Sequence, residues 1–170
     1  VGPPPEAVVA VQQAVPSTTG YGSCHRVPKL QRLLKSDMLL TGNGLKPLLF
    51  VAQLAFGRLF EKQRGVVLHV IPCWPSYIEQ VRLGRVRSAG IHPQDTTTYK
   101  LSPADMDRAI RALRAKNDGR TPPHLLILNS PCNPTGAVYS ADELCELAQC
   151  FRTHGTWVLS DEIYRQLAFA

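Results

Sequence analysis

From residue 38 onward, short apolar runs alternate with amphipathic stretches of helical period, and no other feature of the chain constrains its fold as tightly. Runs of this kind are long enough for strands and too short for helices that bury one face. They read MLLT (38–41), VVLHVI (66–71), RVRSAGI (85–91), HLLILN (124–129) and TWVLSD (156–161). Repeated strand–helix units predict an α/β fold, a three-layer α/β/α arrangement around a mainly parallel sheet. The helices between the runs carry their own end signals. In SPADMDRAIRALRAK, Ser102 is placed to cap, Pro103 takes the first helical position and Asp105 lies in the first turn. SADELCELAQCFRTHG opens on the capping box Ser140 and Glu143 and closes on Gly155.

Before residue 38 the texture differs. A Pro-rich start leads to a helix around EAVVAVQQAV, a loop PSTTGYGSCHR and a helix at PKLQRLLK, predicting an arm of residues 1–37 ahead of a sheet domain over 38–170. The chain opens on Val1 and stops in RQLAFA without a helix stop signal, so a piece of a longer protein is expected. With 44% hydrophobic and 19% charged residues, its 170 residues suffice for one well-buried core.

Nineteen Lys and Arg against thirteen Asp and Glu give a net charge of +6, but the basic residues are scattered, and RLGRVR (82–87) is the one tight group. No aromatic interleaving or recognition motif accompanies them, which predicts a solvated helix face rather than a nucleic-acid partner. The excess charge remains compatible with a small ligand bearing phosphate. The five cysteines, Cys24, Cys73, Cys132, Cys145 and Cys150, are odd in number and lack CxxC spacing, favouring a reducing, cytoplasmic setting with an organelle left open. Cys24 and His25 adjoin without a second cluster, so no metal is expected there. No apolar run approaches the ~20 residues of a membrane span, so no membrane partner is expected.

Ligands of an open parallel sheet gather beyond the carboxyl ends of its strands. GNGLKP, after the first run, places Gly42 and Gly44 before a helix start, either a plain strand-to-helix turn or a cradle of N–H groups for an anion. PCWPSY, after the second, fixes Trp74 between prolines, where an indole packs or offers its face to a ring. NSPCNPTGAVYS (129–140) ends HLLILN in a rigid turn that either redirects the chain or holds the Asn133 amide against a ligand. TWVLSDEIY carries Asp161 to the ligand edge, with Tyr164 three residues on. Asp161 is either a favourable charge at a helix start or a carboxylate waiting for a cation, such as a protonated heteroaromatic nitrogen. Tyr164 is either an amphipathic core residue or a donor to an oxygen of the same ligand.

NSPCNPTGAVYS, VLSDEIY, PCWPSY and GLKPLLF, at these intervals, resemble the large domain of class I/II aminotransferases, the fold type I enzymes dependent on pyridoxal phosphate. The resemblance runs from about Pro5 to Ala170 and is most specific from Leu125 to Tyr164. It implies a partial large domain of the aspartate aminotransferase-like fold, with the rest of that domain and the small domain missing. It further implies that Asn133 bonds the cofactor's ring hydroxyl oxygen, Asp161 pairs with the pyridinium nitrogen, Tyr164 donates to the same ring oxygen and Trp74 stacks on the ring. The backbone around Gly44, Leu45 and Lys46 would hold the phosphate, and Tyr21, in TTGYGS, would reach the phosphate of a neighbouring subunit. Cis bonds at Asn133-Pro134 and Ile71-Pro72, a homodimer, and amino-acid and 2-oxo-acid substrates follow from the same resemblance.

The family's catalytic lysine, which binds the cofactor covalently and shuttles the proton, follows the aspartate by some tens of residues. Here Lys29, Lys35, Lys46, Lys62, Lys100 and Lys116 all precede Asp161, so no catalytic residue is assigned within the chain. Arg26 and Gln31 depart from the family's G-x-P-x-L-R stretch, and EKQRGVVLHV lacks its Pro-Gly-Asp turn. The function implied is part of an aminotransferase. Two alternatives stay open: another pyridoxal-phosphate reaction on the same scaffold, such as a C–S β-lyase or a synthase, and a non-catalytic, aminotransferase-like effector domain of a transcription regulator.

Overall fold

The computed structural model describes residues 3–14, 32 and 39–167. The chain divides into two compact units, residues 1–43 and 44–170. In the first, α1 spans Pro5–Ala14, matching the helix expected around EAVVAVQQAV. Tyr21, Cys24 and His25, and all of PKLQRLLK except the helical Arg32, lie outside the described residues. The strand expected over MLLT is not found: residues 39–41 have no strand conformation. A run that short does not determine its own state, because a strand exists only where a neighbour receives its N–H and C=O groups. No described strand takes residues 39–41 as ladder partners.

The second unit follows the predicted alternation. Its elements are α2 (Leu45–Leu59), β1 (Val66–Val70), α3 (Pro75–Leu83), β2 (Arg87–Ile91), α4 (Pro103–Ala115), β3 (His124–Asn129), α5 (Ala141–His154) and β4 (Trp157–Asp161), then a 3₁₀ turn at Arg165–Leu167. The four strands form one parallel sheet in the order β2-β1-β3-β4. Alternation along the strands sends Val66 and Leu68 of β1 and Leu126 and Leu128 of β3 to one face, against Met106 and Ile110 of α4 and Leu147 and Phe151 of α5. Val67, Leu125 and Ile127 face the other way, against Leu49 and Phe56 of α2 and Tyr77 and Val81 of α3. The result is the expected three-layer α/β/α body.

Both expected capping arrangements form. Ser102 and Asp105 make a reciprocal capping box on α4, as Ser140 and Glu143 do on α5, and Gly155 ends α5 at a left-handed φ of 63°. The central strands β1 and β3 are almost wholly buried, whereas β4 is largely exposed up to its last residue, Asp161. The apolar run WVL therefore marks a strand without marking a buried one.

Candidate cofactor site

After β1 the chain turns through α3 to β2 on one side, and it crosses back through α4 to β3 on the other. The order of strands reverses between β1 and β3, and a crevice at their carboxyl ends is the place such sheets offer a ligand. A cavity of about 270 Å³ lies there, lined by Leu45, Lys46, Leu49, Trp74, Tyr77, Asn129, Asn133, Asp161, Ile163 and Tyr164. Six of the eight residues singled out in the sequence share this lining. Gly44 caps α2 beside Leu45 without lining the cavity, and Tyr21 lies outside the described residues.

Asp161 ends β4 in register with Asn129 of β3, and both face the α2/α3 side. Asp161 is 3% exposed. The Tyr77 hydroxyl donates to Oδ2, and the Ile163 amide donates to Oδ1 over 3.1 Å. Among the described residues no cation pairs with it. Burial, followed by the bond to Asp161, raises the Tyr77 phenol far above its ordinary value, so it stays protonated and donating. A buried carboxylate held by two neutral donors beside a cavity is set to accept a positive charge from that cavity.

Asn129 joins the two strand ends to the turn. Its Nδ2 donates to the Asp161 carbonyl over 2.9 Å, and its Oδ1 accepts the Asn133 amide over 2.8 Å. The turn closes on itself through Gly136 N to Cys132 O at 2.7 Å and Cys132 N to Ala137 O at 2.9 Å, with Gly136 at φ 72°. The Asn133-Pro134 and Ile71-Pro72 bonds are cis as expected, and Ser130-Pro131 is cis as well. Asn133 Nδ2 stands 3.5 Å from the Tyr164 hydroxyl, a separation at the weak limit, so both polar tips retain capacity for a third atom between them.

Trp74 precedes α3 and meets Tyr77 edge-on at 5.5 Å between ring centroids. The Lys46 ammonium lies 5.4 Å from the centroid of the Trp74 ring, a side-chain contact the sequence reading, which used only the Lys46 backbone, did not anticipate. At the start of α2, Gly44 adopts φ 86° with no side-chain cap, leaving first-turn N–H groups without a capping side chain. A β-carbon at Gly44 would meet nothing within 4 Å, so glycine is favoured there by backbone conformation and not by crowding. A buried amide relay sets this helix start against α3: Gln53 Nε2 donates to Gln80 Oε1 over 2.6 Å, and Gln80 Nε2 donates to the Lys46 carbonyl over 2.9 Å.

Tyr77, Asn129, Gln53 and Gln80 were not singled out in the sequence. Asn129 carried a usable signal, a polar residue closing an apolar strand directly before the rigid turn. Tyr77 carried a weaker one, lying one helical turn beyond Trp74. The two glutamines had none, since each sits among ordinary helix residues.

The sequence model of the family Aminotransferase class I and II matches residues 2–170. The chain belongs to the class I and II aminotransferases. Among members of that family, an aspartate aminotransferase of Geobacillus stearothermophilus is 36% identical over 98 residues, 58% of this chain and 23% of the relative. One of Streptomyces avermitilis is 30% identical over 134 residues, 79% of this chain and 30% of the relative. The solved aspartate aminotransferase from Thermus thermophilus with maleate superposes with a TM-score of 0.76 at 25% identity, covering 100% of this chain and 44% of that one. The chain thus spans less than half the length of each of these three relatives, and no described helix is long and apolar enough to cross a membrane.

Proposed function

We propose that the chain forms the cofactor-holding part of a pyridoxal-phosphate-dependent aminotransferase that moves an amino group between an amino acid and a 2-oxo acid. The observation that carries this reading is the Asp161 carboxylate, buried beside the cavity on two neutral donors with no cation paired to it among the described residues. In this reading residues 38–170 belong to the large domain and residues 1–37 to an arm before it, within a homodimer.

The donor set fits the group. An aromatic face, a buried anion, two convergent hydroxyl and amide donors and an uncapped helix start suit a flat ring bearing a basic nitrogen, a phenolic oxygen and a phosphate. Asp161 would hold the ring nitrogen protonated, and Asn133 with Tyr164 would donate to the ring oxygen. Trp74 would cover the ring, and the N–H groups of Leu45 and Lys46 would meet the phosphate with the positive end of α2 behind them. Bound there, the cofactor supplies an electron sink for the pair left when a substrate's α carbon gives up its proton. What these residues contribute is orientation and a fixed negative charge, set in advance by Tyr77 and Asn129.

The test is a half-reaction. The full-length protein, loaded with pyridoxal phosphate, is mixed with an amino acid, and the cofactor's absorbance and the released 2-oxo acid are followed together. Conversion to the amino form with stoichiometric oxo acid supports transamination. Elimination products without amino transfer would select the β-lyase alternative, and absence of any cofactor turnover would select the effector-domain alternative.

A further inference from the structure

On the sheet face opposite the cavity, α4 and α5 bring together a carboxylate, a thiol and an imidazole. Cys150 and His154 stand one helical turn apart on α5, so both project toward α4, which presents Asp107. His154 Nε2 lies 2.6 Å from Asp107 Oδ1. The Cys150 sulfur lies 3.9 Å from the Pro103 carbonyl, at the start of α4. One ligand atom from each of Asp107, Cys150 and His154 falls within 4.8 Å of the other two.

We propose that Asp107, Cys150 and His154 form a binding site for a divalent cation of the zinc class, which ties α4 to α5. The donor types decide the class. A thiolate with an imidazole selects a borderline-soft ion over calcium or magnesium, which take oxygen. A tetrahedral ion with bonds of about 2.0–2.3 Å needs donor atoms about 3.3–3.6 Å apart. The close Asp107–His154 pair opens by about 0.7 Å to reach that spacing, and the sulfur closes by about 1.3 Å at most, both within side-chain rotation. All three side chains are half-buried, so an ion can enter from solvent and a water can take the fourth position. An interhelical ion pair of His154 with Asp107 needs no thiol. Here the thiol shares their gap. An ion at the centre takes the place of the thiol proton, which is released to solvent.

Sequence spacing hides this site. Cys150 and His154 are an i, i+4 pair, but the third donor comes from another helix, 47 residues before His154.

The probe is Co²⁺, whose bond to thiolate absorbs in the near ultraviolet, titrated into the metal-stripped full chain with Zn²⁺ as competitor. About one equivalent should bind, with a thiolate band displaced by Zn²⁺. Cys150→Ser should abolish the band, and Asp107→Asn and His154→Gln should each weaken binding at least tenfold, as loss of a ligand does. Cys145→Ser, on the same helix but outside the trio, should leave both unchanged. Zn²⁺ should also raise the melting temperature of the parent and not that of His154→Gln, which keeps the apolar packing of Cys150 and so separates loss of the site from loss of the fold. A band that survives Cys150→Ser, or one abolished by Cys145→Ser, overturns the proposal, as does a parent that binds no Co²⁺.

Discussion

The hydroxyl of Tyr77, on the first turn of α3, donates to Oδ2 of Asp161, at the end of β4, 84 residues away in sequence. The bond crosses from the helical layer to the sheet and meets the one buried carboxylate that lines the cavity. Tyr77 lines the cavity, but its hydroxyl is committed to Asp161, so we assign it a positioning role on that carboxylate. Tyr77→Phe keeps the ring packed and deletes the donor. Hydrogen bonds to charged groups contribute about 1.5–3 kcal/mol, so kcat should fall about tenfold or more while KM for the amino acid holds. Steady-state kinetics on the full-length protein, with the pH dependence of the cofactor's absorbance bands, would show it. An unchanged kcat and an unchanged band profile would reduce Tyr77 to a packing residue.

Asp161→Asn removes the charge and leaves the shape. In the proposed reading, the variant would no longer hold the ring nitrogen protonated, while the face of Trp74 and the α2 amides would still be in place to hold the cofactor. The half-reaction rate should fall at least ~100-fold, with cofactor affinity changing less than about tenfold. Equal rates in mutant and parent would mean Asp161 is only a charge near a chain turn.

His69 lies on β1 beneath Tyr77, 2% exposed, and neither ring nitrogen has a hydrogen-bond partner. Burial lowers its pKa to about 4. The unfolded imidazole titrates near 6.5, so between these values the unfolded state binds more protons, and stability is lost as pH falls from about 6.5 to 4. The loss from this group is of order 3 kcal/mol across that window. His69→Leu should flatten the acid limb of a stability–pH curve measured by urea unfolding, and it should raise stability at pH 7 by removing unpaired polar atoms. His124, also lowered by burial, keeps part of the slope in the variant. Parallel curves for mutant and parent would show that His69 is solvated in solution.

How far the sequence spoke for itself depended on the range of each interaction. Strand β3 was legible to the residue, and the caps of α4 and α5 were legible by name, because period and capping are settled within a few positions. MLLT failed because a strand also needs a neighbour, which four residues cannot announce. That Trp74, Asn133, Asp161 and Tyr164 would meet at one cavity was legible from the position of each after an apolar run, together with a family resemblance. Tyr77, Gln53 and Gln80 were not, since each acts through a partner on another element whose approach only the assembled layers define. His69 was visible as a polar residue inside VVLHV, but its want of partners is a property of what surrounds it.

Asn129 offers a test of the turn that holds Asn133. One side chain donates to the Asp161 carbonyl and accepts the Asn133 amide, coupling two strand ends to the residue we propose meets the ring oxygen. In Asn129→Ala the Asp161 carbonyl still receives the Ser130 amide at 3.2 Å, so the Asn133 amide is the group left without a partner. The cost should be about 1–3 kcal/mol in unfolding free energy, with cofactor affinity weakened as Asn133 loses its aim. Asn129→Asp is the sharper variant. It keeps the acceptor for Asn133, loses the donor to Asp161 and sets a second carboxylate in register beside the first. Burial and the neighbouring charge both raise the pKa of the new acid above its unfolded value, so the folded state binds the extra proton. Stability of Asn129→Asp relative to the parent should therefore rise as pH falls through that raised pKa, because the protonated acid can again donate to the carbonyl. Urea unfolding of both chains from pH 8 to 5 measures the difference directly. A deficit that stays constant across that range would mean the bridge is not formed in solution, and the coupling of Asp161 to Asn133 would have to run through the turn backbone alone.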